Sequence, residues 1–288
     1  MTAAKNGLLR RRTDKAGDAG SKSCQSSPSG SWDVVDVDSL PQFLRDNEFL
    51  LSGHRPQLHS IVECCRSAFR IHTETCNIWT HLLGCVGTIL LAVYYLTFVT
   101  SDWLHGVTFS VFFSGAIFCL GASTIFHMLI CHSEEMCILM AKIDYCGVIA
   151  LIVSSFIPWV YFGFYCHDST IKLMYMSSAV CLGSLCIWFV LQDKFREPRF
   201  RTIRADGQIF GCHDWLIFMA ILYLSGGVIY AMRLPERLWP GKFDIWCQSH
   251  QILHICVVGG VVACYNGASK LANHRLSLGA QVCNTTSS

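Results

Sequence analysis

Charged residues are scarce in this chain of 288 residues, where they make up only 15% of the sequence. A soluble domain usually carries about 25% charged residues, so the shortage argues against an ordinary soluble protein. The formal net charge of +2 is too close to zero to indicate nucleic acid as a partner. Hydrophobic residues make up 52% of the chain and fall in long runs, which is typical of membrane-spanning helices.

Two further absences narrow the class of protein. We expect no N-terminal signal peptide, because residues 1–35 are polar, rich in serine and glycine, and without an apolar core segment. A regular cysteine framework is also missing, since the 17 cysteines are scattered through apolar segments. We interpret these cysteines as small buried hydrophobic residues rather than as a disulfide scaffold.

The composition divides the chain into four predicted parts. Residues 1–38 are expected to form a disordered cytosolic tail, and residues 39–75 one or two short helices at the membrane surface. Within the latter, the amphipathic stretch 60–71 carries basic residues suited to anionic membrane lipids. Residues 76–272 are predicted to form an all-α bundle of membrane-spanning helices, and residues 273–288 a C-terminal tail.

Six apolar runs in the predicted bundle approach the length needed to cross ~30 Å of hydrocarbon. They cover about residues 76–99, 106–130, 143–165, 171–191, 214–232 and 250–269. The arginines before the first run place the N-terminus in the cytosol by the positive-inside rule, and the stretch 131–142 is expected to be an inner loop.

The later basic loops do not fit six crossings. Residues 193–208 are strongly basic and should face the cytosol, but one further crossing would leave the basic loop 233–242 outside. The charge pattern therefore predicts that one crossing is missing between these two loops. We expect the run 214–232 either to re-enter the membrane near Gly226-Gly227 or to insert with a frustrated topology.

Four ionisable side chains in or beside the apolar runs indicate a functional site: His127, Asp144, His250 and His254. His250 and His254 are four residues apart, so a helix presents both on one face, as in zinc-binding pairs. His127 and Asp144 lie at the inner ends of the second and third runs. Three protein ligands with an open fourth position are typical of a catalytic Zn²⁺ site.

Each of these residues has a structural alternative. The two histidines of the last run could be polar residues packed near a helix end, and Asp144 could cap a helix or pair with a basic side chain. Ser123 could bond to its own helix or stand beside the metal or its water. His81 and His105 are interpreted as interfacial or loop residues. With six crossings, the histidines of the last run would begin ~30 Å from His127, at the other face.

Several strings in the chain resemble the adiponectin receptors of the progestin and adipoQ receptor family, over about residues 40–272. The strings include Leu51-Ser-Gly-His-Arg-Pro56, Phe69-Arg-Ile-His-Thr-Glu-Thr75, Asn77-Ile-Trp-Thr-His-Leu-Leu83, Ile143-Asp-Tyr145, Phe243-Asp-Ile-Trp246 and Ser249-His-Gln251. The resemblance implies seven membrane-spanning helices, an inside N-terminus, an outside C-terminus and a zinc ion near the cytosolic face.

The resemblance also assigns roles to individual residues. Ser123 and His127 match the family's Ser-x-x-x-His pattern, and Asp144 matches an aspartate that meets zinc through a water. His250 and His254 match the two remaining zinc ligands. The chain departs from the family after Ile203-Arg-Ala-Asp206, which joins almost directly to the next helix, so it resembles a shortened form without the fifth helix.

The function implied by the resemblance is hydrolysis of a lipid amide, with ceramide as substrate and a free fatty acid and sphingosine as products. Such a hydrolase would act in lipid metabolism at the plasma membrane. Two other functions remain open. One is a receptor with a structural zinc that couples an adiponectin-like extracellular hormone to cytosolic adaptor proteins. The other is a truncated isoform that forms oligomers with full-length receptors.

Overall fold

The computed structural model of the chain describes residues 32–192 and 213–278. Most of the predicted cytosolic tail, the basic loop from residue 193, and the predicted C-terminal tail from residue 279 lie outside the described residues. The described residues form seven α-helices, and their one β pairing is an isolated bridge between Val35 and His54. The predicted all-α fold is therefore confirmed.

Six of the helices are long and apolar enough to cross a membrane, which matches the number of apolar runs in the sequence. Two 3₁₀ turns, Val37–Ser39 and Gln42–Leu44, precede the helices. The α-helices are α1 (Ile61–Ser67), α2 (Thr75–Phe98), α3 (Trp103–Leu129), α4 (Glu134–Gly163), α5 (Ser169–Leu191), α6 (His213–Met232) and α7 (Ser249–Leu278).

Helix α4 begins earlier than the sequence predicts, at Glu134 rather than near residue 143. The Ser133 hydroxyl caps the helix by accepting a hydrogen bond from the Met136 amide at 3.3 Å. Glu134 and Glu135 lie in the first turn, where the helix dipole favours negative charge. The predicted inner loop 131–142 is therefore mostly helix, and Asp144 lies more than two turns inside α4 rather than at its N-cap.

Helices α2, α4 and α7 run in one direction, and α3, α5 and α6 run in the other. In a parallel pair, successive contacts ascend in both helices, whereas in an antiparallel pair they ascend in one and descend in the other. The parallel pairs are α2 with α7 (His81–His254, Tyr95–Tyr265) and α4 with α7 (Ser155–Cys264, Trp159–Gly267). The antiparallel pairs are α6 with α7 (Tyr230–His250, Trp215–Gly267), α3 with α4 (Cys119–Gly147, Gly115–Ser154) and α4 with α5 (Phe164–Tyr175, Val153–Gly183). We call the end of the bundle at which α2, α4 and α7 begin the site end.

The helix directions correct the expected position of the last helix. Because α7 begins at the site end and α3 finishes there, His250 and His254 lie beside His127 rather than a membrane thickness away. Helix α6 is continuous through Gly226-Gly227, so the expected re-entrant break there is wrong. Helices α5 and α6 both run toward the site end, although they are consecutive in the chain. The end of α5 and the start of α6 therefore lie at opposite ends of the bundle.

A buried aromatic cluster holds the helices together away from the site end. Tyr95, on α2, lies with its ring centroid 4.4 Å from that of Phe109 on α3 and 5.5 Å from that of Tyr265 on α7. Its hydroxyl lies 3.0 Å from Nε2 of His105, which is 1% exposed. His105 therefore lies buried in the first turn of α3 and not in a loop. These contacts fix α2, α3 and α7 relative to one another and so position the residues at the site end.

Candidate metal centre

Three histidine side chains meet at the site end of the bundle. His127 lies in the last turns of α3, and His250 and His254 lie in the first two turns of α7. The three ring centroids are 4.8 to 4.9 Å from one another. One potential ligand atom of each histidine lies within 4.8 Å of those of the other two. The cluster could therefore hold one metal ion, and it contains the three residues that the sequence selected as ligands.

The imidazole of His127 is oriented by Glu74, at the start of α2. Its Nδ1 lies 2.7 Å from Oε2 of the Glu74 carboxylate. An ionised carboxylate only accepts hydrogen bonds, so Nδ1 is the donor and Nε2 carries the free lone pair. That Nε2 is buried and has no hydrogen-bond partner within residues 32–192 and 213–278. A buried lone pair without a protein partner, beside two other imidazoles, fits a metal ligand held in place by a carboxylate.

His254 is held in a similar way by α2. Its Nδ1 lies 3.2 Å from the backbone carbonyl oxygen of Asn77, which can only accept a hydrogen bond. The proton is therefore on Nδ1, and Nε2 is left with its lone pair. A set of imidazole ligands suits zinc, copper, iron or nickel better than magnesium or calcium. The donor atoms thus fit a transition-metal ion.

Two buried charged residues fix the helix ends that carry the histidines. The guanidinium of Arg55, 3% exposed, donates hydrogen bonds to the carbonyl oxygens of His127 and Met128 at the end of α3. A cation at this position also favours the helix dipole. The carboxylate of Glu236, fully buried, accepts hydrogen bonds from the amide (2.8 Å) and the hydroxyl of Ser249, the first residue of α7.

Glu74 is a site residue that the sequence analysis missed. Burial raises the pKa of its carboxyl, but the hydrogen bond from His127, the neighbouring charges and the hydrogen bond from Asn77 lower it more strongly. The net effect holds the pKa of Glu74 well below its usual range, so the carboxyl is ionised at neutral pH. A signal was present in the sequence: Glu74 immediately precedes an apolar run, and such ionisable residues are candidates for function.

Asp144 and Ser123 line the same cavity as the three histidines. The Ser123 side chain is 2% exposed and hydrogen-bonds to the Asp144 carboxyl. Asp144 is not one of the residues whose ligand atoms lie within 4.8 Å of a common group. All five candidate site residues therefore surround one cavity, with three histidines able to share an ion and Asp144 set apart from that group.

The cavity has a volume of about 300 Å³ and is partly open. Its apolar lining includes Phe126, Val148, Leu253 and Val257 from three helices. His81 also lines the cavity and is 4% exposed, so its interpretation as an interfacial or loop residue is wrong. A cavity with a few convergent polar groups on an apolar wall is typical of a binding site for an amphipathic molecule.

The N-terminal segment covers the cavity at the site end. Phe43 and Leu44 of the second 3₁₀ turn are among the lining residues. The segment is attached to the stretch between α6 and α7 by an ion pair between Asp46 and Arg233 (3.6 Å). The side-chain amide of Asn47 also donates a hydrogen bond to the carboxylate of Glu236 in that stretch. This segment therefore narrows the opening through which water could reach the cavity from the site end.

Comparison with known proteins gives a consistent set of relatives. The profile of haemolysin-III-related proteins matches residues 69–210 and 206–265. The Adiponectin receptor protein of Drosophila melanogaster is 46% identical over 272 residues, which cover 85% of this chain and 61% of the fly protein. Progestin and adipoQ receptor-like protein 1 of Caenorhabditis elegans is 44% identical, with coverage of 85% and 62%. Heptahelical transmembrane protein 4 of Arabidopsis thaliana is 30% identical, with coverage of 81% and 87%.

The extent of these matches bears on the length of this chain. It spans less than two thirds of the fly and worm proteins. The alignment with the fly protein has 272 positions, and this chain fills about 245 of them, which is 85% of its 288 residues. About 27 positions of the alignment therefore have no counterpart in this chain, somewhat more than the ~20 residues that cross a membrane. The family profile also matches in two pieces, which overlap at residues 206–210.

Proposed function

Because this chain belongs to the haemolysin-III-related family and its relatives include adiponectin receptors, we propose that it is a zinc-dependent lipid amide hydrolase of the adiponectin-receptor type. The proposal rests above all on one observation, the buried Nε2 of His127 that has no partner and lies beside His250 and His254. The chain is a multi-pass membrane protein, and its described residues include six apolar helices long enough to cross a membrane. We place its N-terminus in the cytosol and the protein in the plasma membrane.

Zinc is the metal that this site suits best in our proposal. Three imidazoles leave one coordination position open, as in zinc hydrolases, and the histidines are fixed by oxygen acceptors on α2. Bound zinc supplies a water whose pKa is lowered toward ~7, and therefore a nucleophile at neutral pH. His127, His250 and His254 would hold the ion, while Glu74 keeps the His127 ring in its orientation.

In this proposal, Asp144 acts first as a general base toward the water and then as a general acid toward the amine. Its carboxylate would orient the attacking water and accept its proton as the oxygen bonds to the amide carbonyl carbon. The same proton then goes to the amine nitrogen as the carbon–nitrogen bond breaks. Ser123, hydrogen-bonded to Asp144, would keep the carboxylate facing the water. Phe43 and Leu44 would limit the entry of bulk water from the site end.

The substrate is proposed to be a ceramide-type lipid amide. The cavity combines the histidine cluster with apolar walls, and it lies among helices that face the membrane lipids. Hydrolysis would release a free fatty acid and sphingosine. The test is incubation of the purified, zinc-loaded protein with a fluorescent ceramide, for which we expect release of the labelled fatty acid that stops on chelation of zinc. Absence of release at high protein concentration would overturn the proposal.

A receptor function is the second candidate, and the names of the relatives favour it. The fly and worm proteins are described as an adiponectin receptor and as a progestin and adipoQ receptor-like protein. In this case the metal would be structural, an adiponectin-like extracellular ligand would bind at the end opposite the site, and cytosolic adaptor proteins would bind at the site end. Hormone binding without any hydrolysis would favour this function over the first.

We also propose that the chain lacks the fifth helix of its relatives. The end of α5 and the start of α6 lie at opposite ends of the bundle, and the sequence between them contains five basic residues: Lys194, Arg196, Arg199, Arg201 and Arg204. Such a stretch crosses hydrocarbon only at high cost. The gap of about 27 residues relative to the fly protein and the profile match in two pieces support the absence of one crossing here. A truncated isoform that forms oligomers with full-length receptors would follow from such a deletion.

A further inference from the structure

His81 is a fourth histidine at the site that the proposed metal chemistry does not use. It lies in the second turn of α2 and is 4% exposed. Neither of its ring nitrogens, Nδ1 or Nε2, makes a hydrogen bond with another described residue. A neutral imidazole carries one donor and one acceptor, and leaving both unpaired in a buried position is unfavourable. The side chain therefore has unused hydrogen-bonding capacity inside the cavity that it lines.

The position of the ring separates His81 from the metal ligands. It is stacked on His254, with ring centroids 3.7 Å apart and an angle of 13° between the ring planes. Face-to-face stacking on a ligand ring directs the nitrogens of His81 sideways from the stack. Among the described residues, the group that could share one metal ion contains His127, His250 and His254 but not His81. His81 is therefore beside the centre rather than part of it.

Among the described residues, the backbone of His254 approaches the His81 ring, but no contact of either ring nitrogen has the geometry of a full hydrogen bond. Thr80, the nearest hydroxyl in sequence, donates to the carbonyl oxygens of Cys76 and Asn77 on its own helix. His81 is one turn further into the bundle than Asn77, whose carbonyl holds His254. It thus lies on the membrane-interior side of the histidine cluster. The apolar residues Leu253 and Val257 line the cavity on α7 at this depth.

We propose that His81 forms a hydrogen-bonding subsite for a neutral polar group, a hydroxyl or an amide, of a lipid whose polar end lies at the histidine cluster. The inference rests on the proposed lipid amide substrate and adds a residue that selects it. One ring nitrogen donates to, or accepts from, the hydroxyl or amide group, while the acyl or alkyl chain lies along Leu253 and Val257. A hydrocarbon without any polar group leaves His81 unpaired and binds more weakly.

The subsite is tested by lipid binding to protein from which the metal has been removed with a chelator. The probe is a fluorescent N-acylsphingosine, and the variants are His81→Phe, which keeps the ring stack and the volume, and His81→Gln, which keeps a donor and an acceptor. We expect His81→Phe to weaken binding about tenfold, the scale of one hydrogen bond in a buried site, and His81→Gln to stay within about threefold of the unchanged protein.

Further measurements keep the interpretation separate from folding and from hydrolysis. Zinc content and thermal unfolding should be the same in both variants as in the unchanged protein. Equal binding by His81→Phe and the unchanged protein, equally weak binding by both variants, or loss of zinc in His81→Phe would overturn the subsite. Failure of the unchanged protein to bind the probe would overturn it as well. Binding of the probe without any hydrolysis by zinc-loaded protein would overturn the hydrolase proposal and leave the subsite in place.

Discussion

The Glu74 carboxylate lies 2.7 Å from Nδ1 of His127 and links the start of α2 to the end of α3. This contact fixes the tautomer of His127 and leaves its Nε2 free for a metal ion. Because Glu74 itself does not belong to the group that could share the ion, its contribution differs from that of the three histidines.

The first prediction concerns this contact. Glu74→Ala should still allow zinc to bind, but with an affinity lowered about 10- to 100-fold, since losing an outer partner of a ligating histidine typically has an effect of this size. Glu48→Ala, which removes an exposed carboxylate from the N-terminal segment, serves as the control. Competition with a chelator of known zinc affinity gives both values. Equal affinities for the two variants would show that Glu74 does not support the metal.

The second prediction separates Asp144 from the ligands. Asp144→Ala should retain zinc while strongly lowering ceramide hydrolysis, because the carboxylate acts on the water rather than on the ion. Glu135→Ala removes an exposed carboxylate from the same helix and should change neither quantity. If Asp144→Ala loses zinc as completely as His254→Ala does, Asp144 is a ligand and the assigned role is wrong.

The third prediction concerns stability. Glu236→Ala should destabilise the protein by roughly 1–3 kcal/mol, because it leaves buried donors of Ser249 and Asn47 without an acceptor. Glu236→Gln keeps one acceptor oxygen and should have a smaller effect. Arg237→Ala, at an exposed neighbouring position, should stay within about 0.5 kcal/mol of the unchanged protein. Thermal unfolding in detergent measures the three changes, and an unaffected Glu236→Ala would contradict the proposed cap of α7.

The fourth prediction tests the missing crossing. Insertion of an apolar helix of ~20 residues between Arg204 and Gly207 should raise the yield of membrane-inserted protein and of zinc-bound protein. A polar helix of the same length should not, since it cannot cross hydrocarbon. Labelling of a cysteine introduced at Lys242 reports on the side of the membrane. In the protein with the apolar insertion, labelling from outside intact cells together with retained zinc would contradict the proposed topology.

The sequence predicted the helices well because each apolar run approaches the membrane thickness in length. It failed at the start of α4, where Ser133, Glu134 and Glu135 supply a cap and a favourable first turn beyond the hydrocarbon. A prediction based only on the length of apolar runs leaves out polar helical turns such as these.

The sequence also predicted that His127, His250 and His254 act as a group, since ionisable residues in apolar runs are rare and a spacing of four places two of them on one face. The structure brings the three side chains together. The sequence did not predict that six helices would bring them together, because the number of crossings fixed the expected direction of α7. The role of Glu74 was missed because its contact with His127 depends on the antiparallel packing of α2 against α3, and that of His81 because its stack on His254 depends on the parallel packing of α2 against α7. The pairing of helices is not encoded in any local pattern.

The most direct test is the metal content of the purified protein. Inductively coupled plasma mass spectrometry should find about one zinc per chain, as expected for a single site of three histidines, and His127→Ala or His254→Ala should remove it. His105→Ala, at the opposite end of the bundle, should leave the zinc content unchanged in whatever fraction of the protein folds. Absence of zinc from the unchanged protein, or zinc retained in full by His127→Ala, would contradict the central claim.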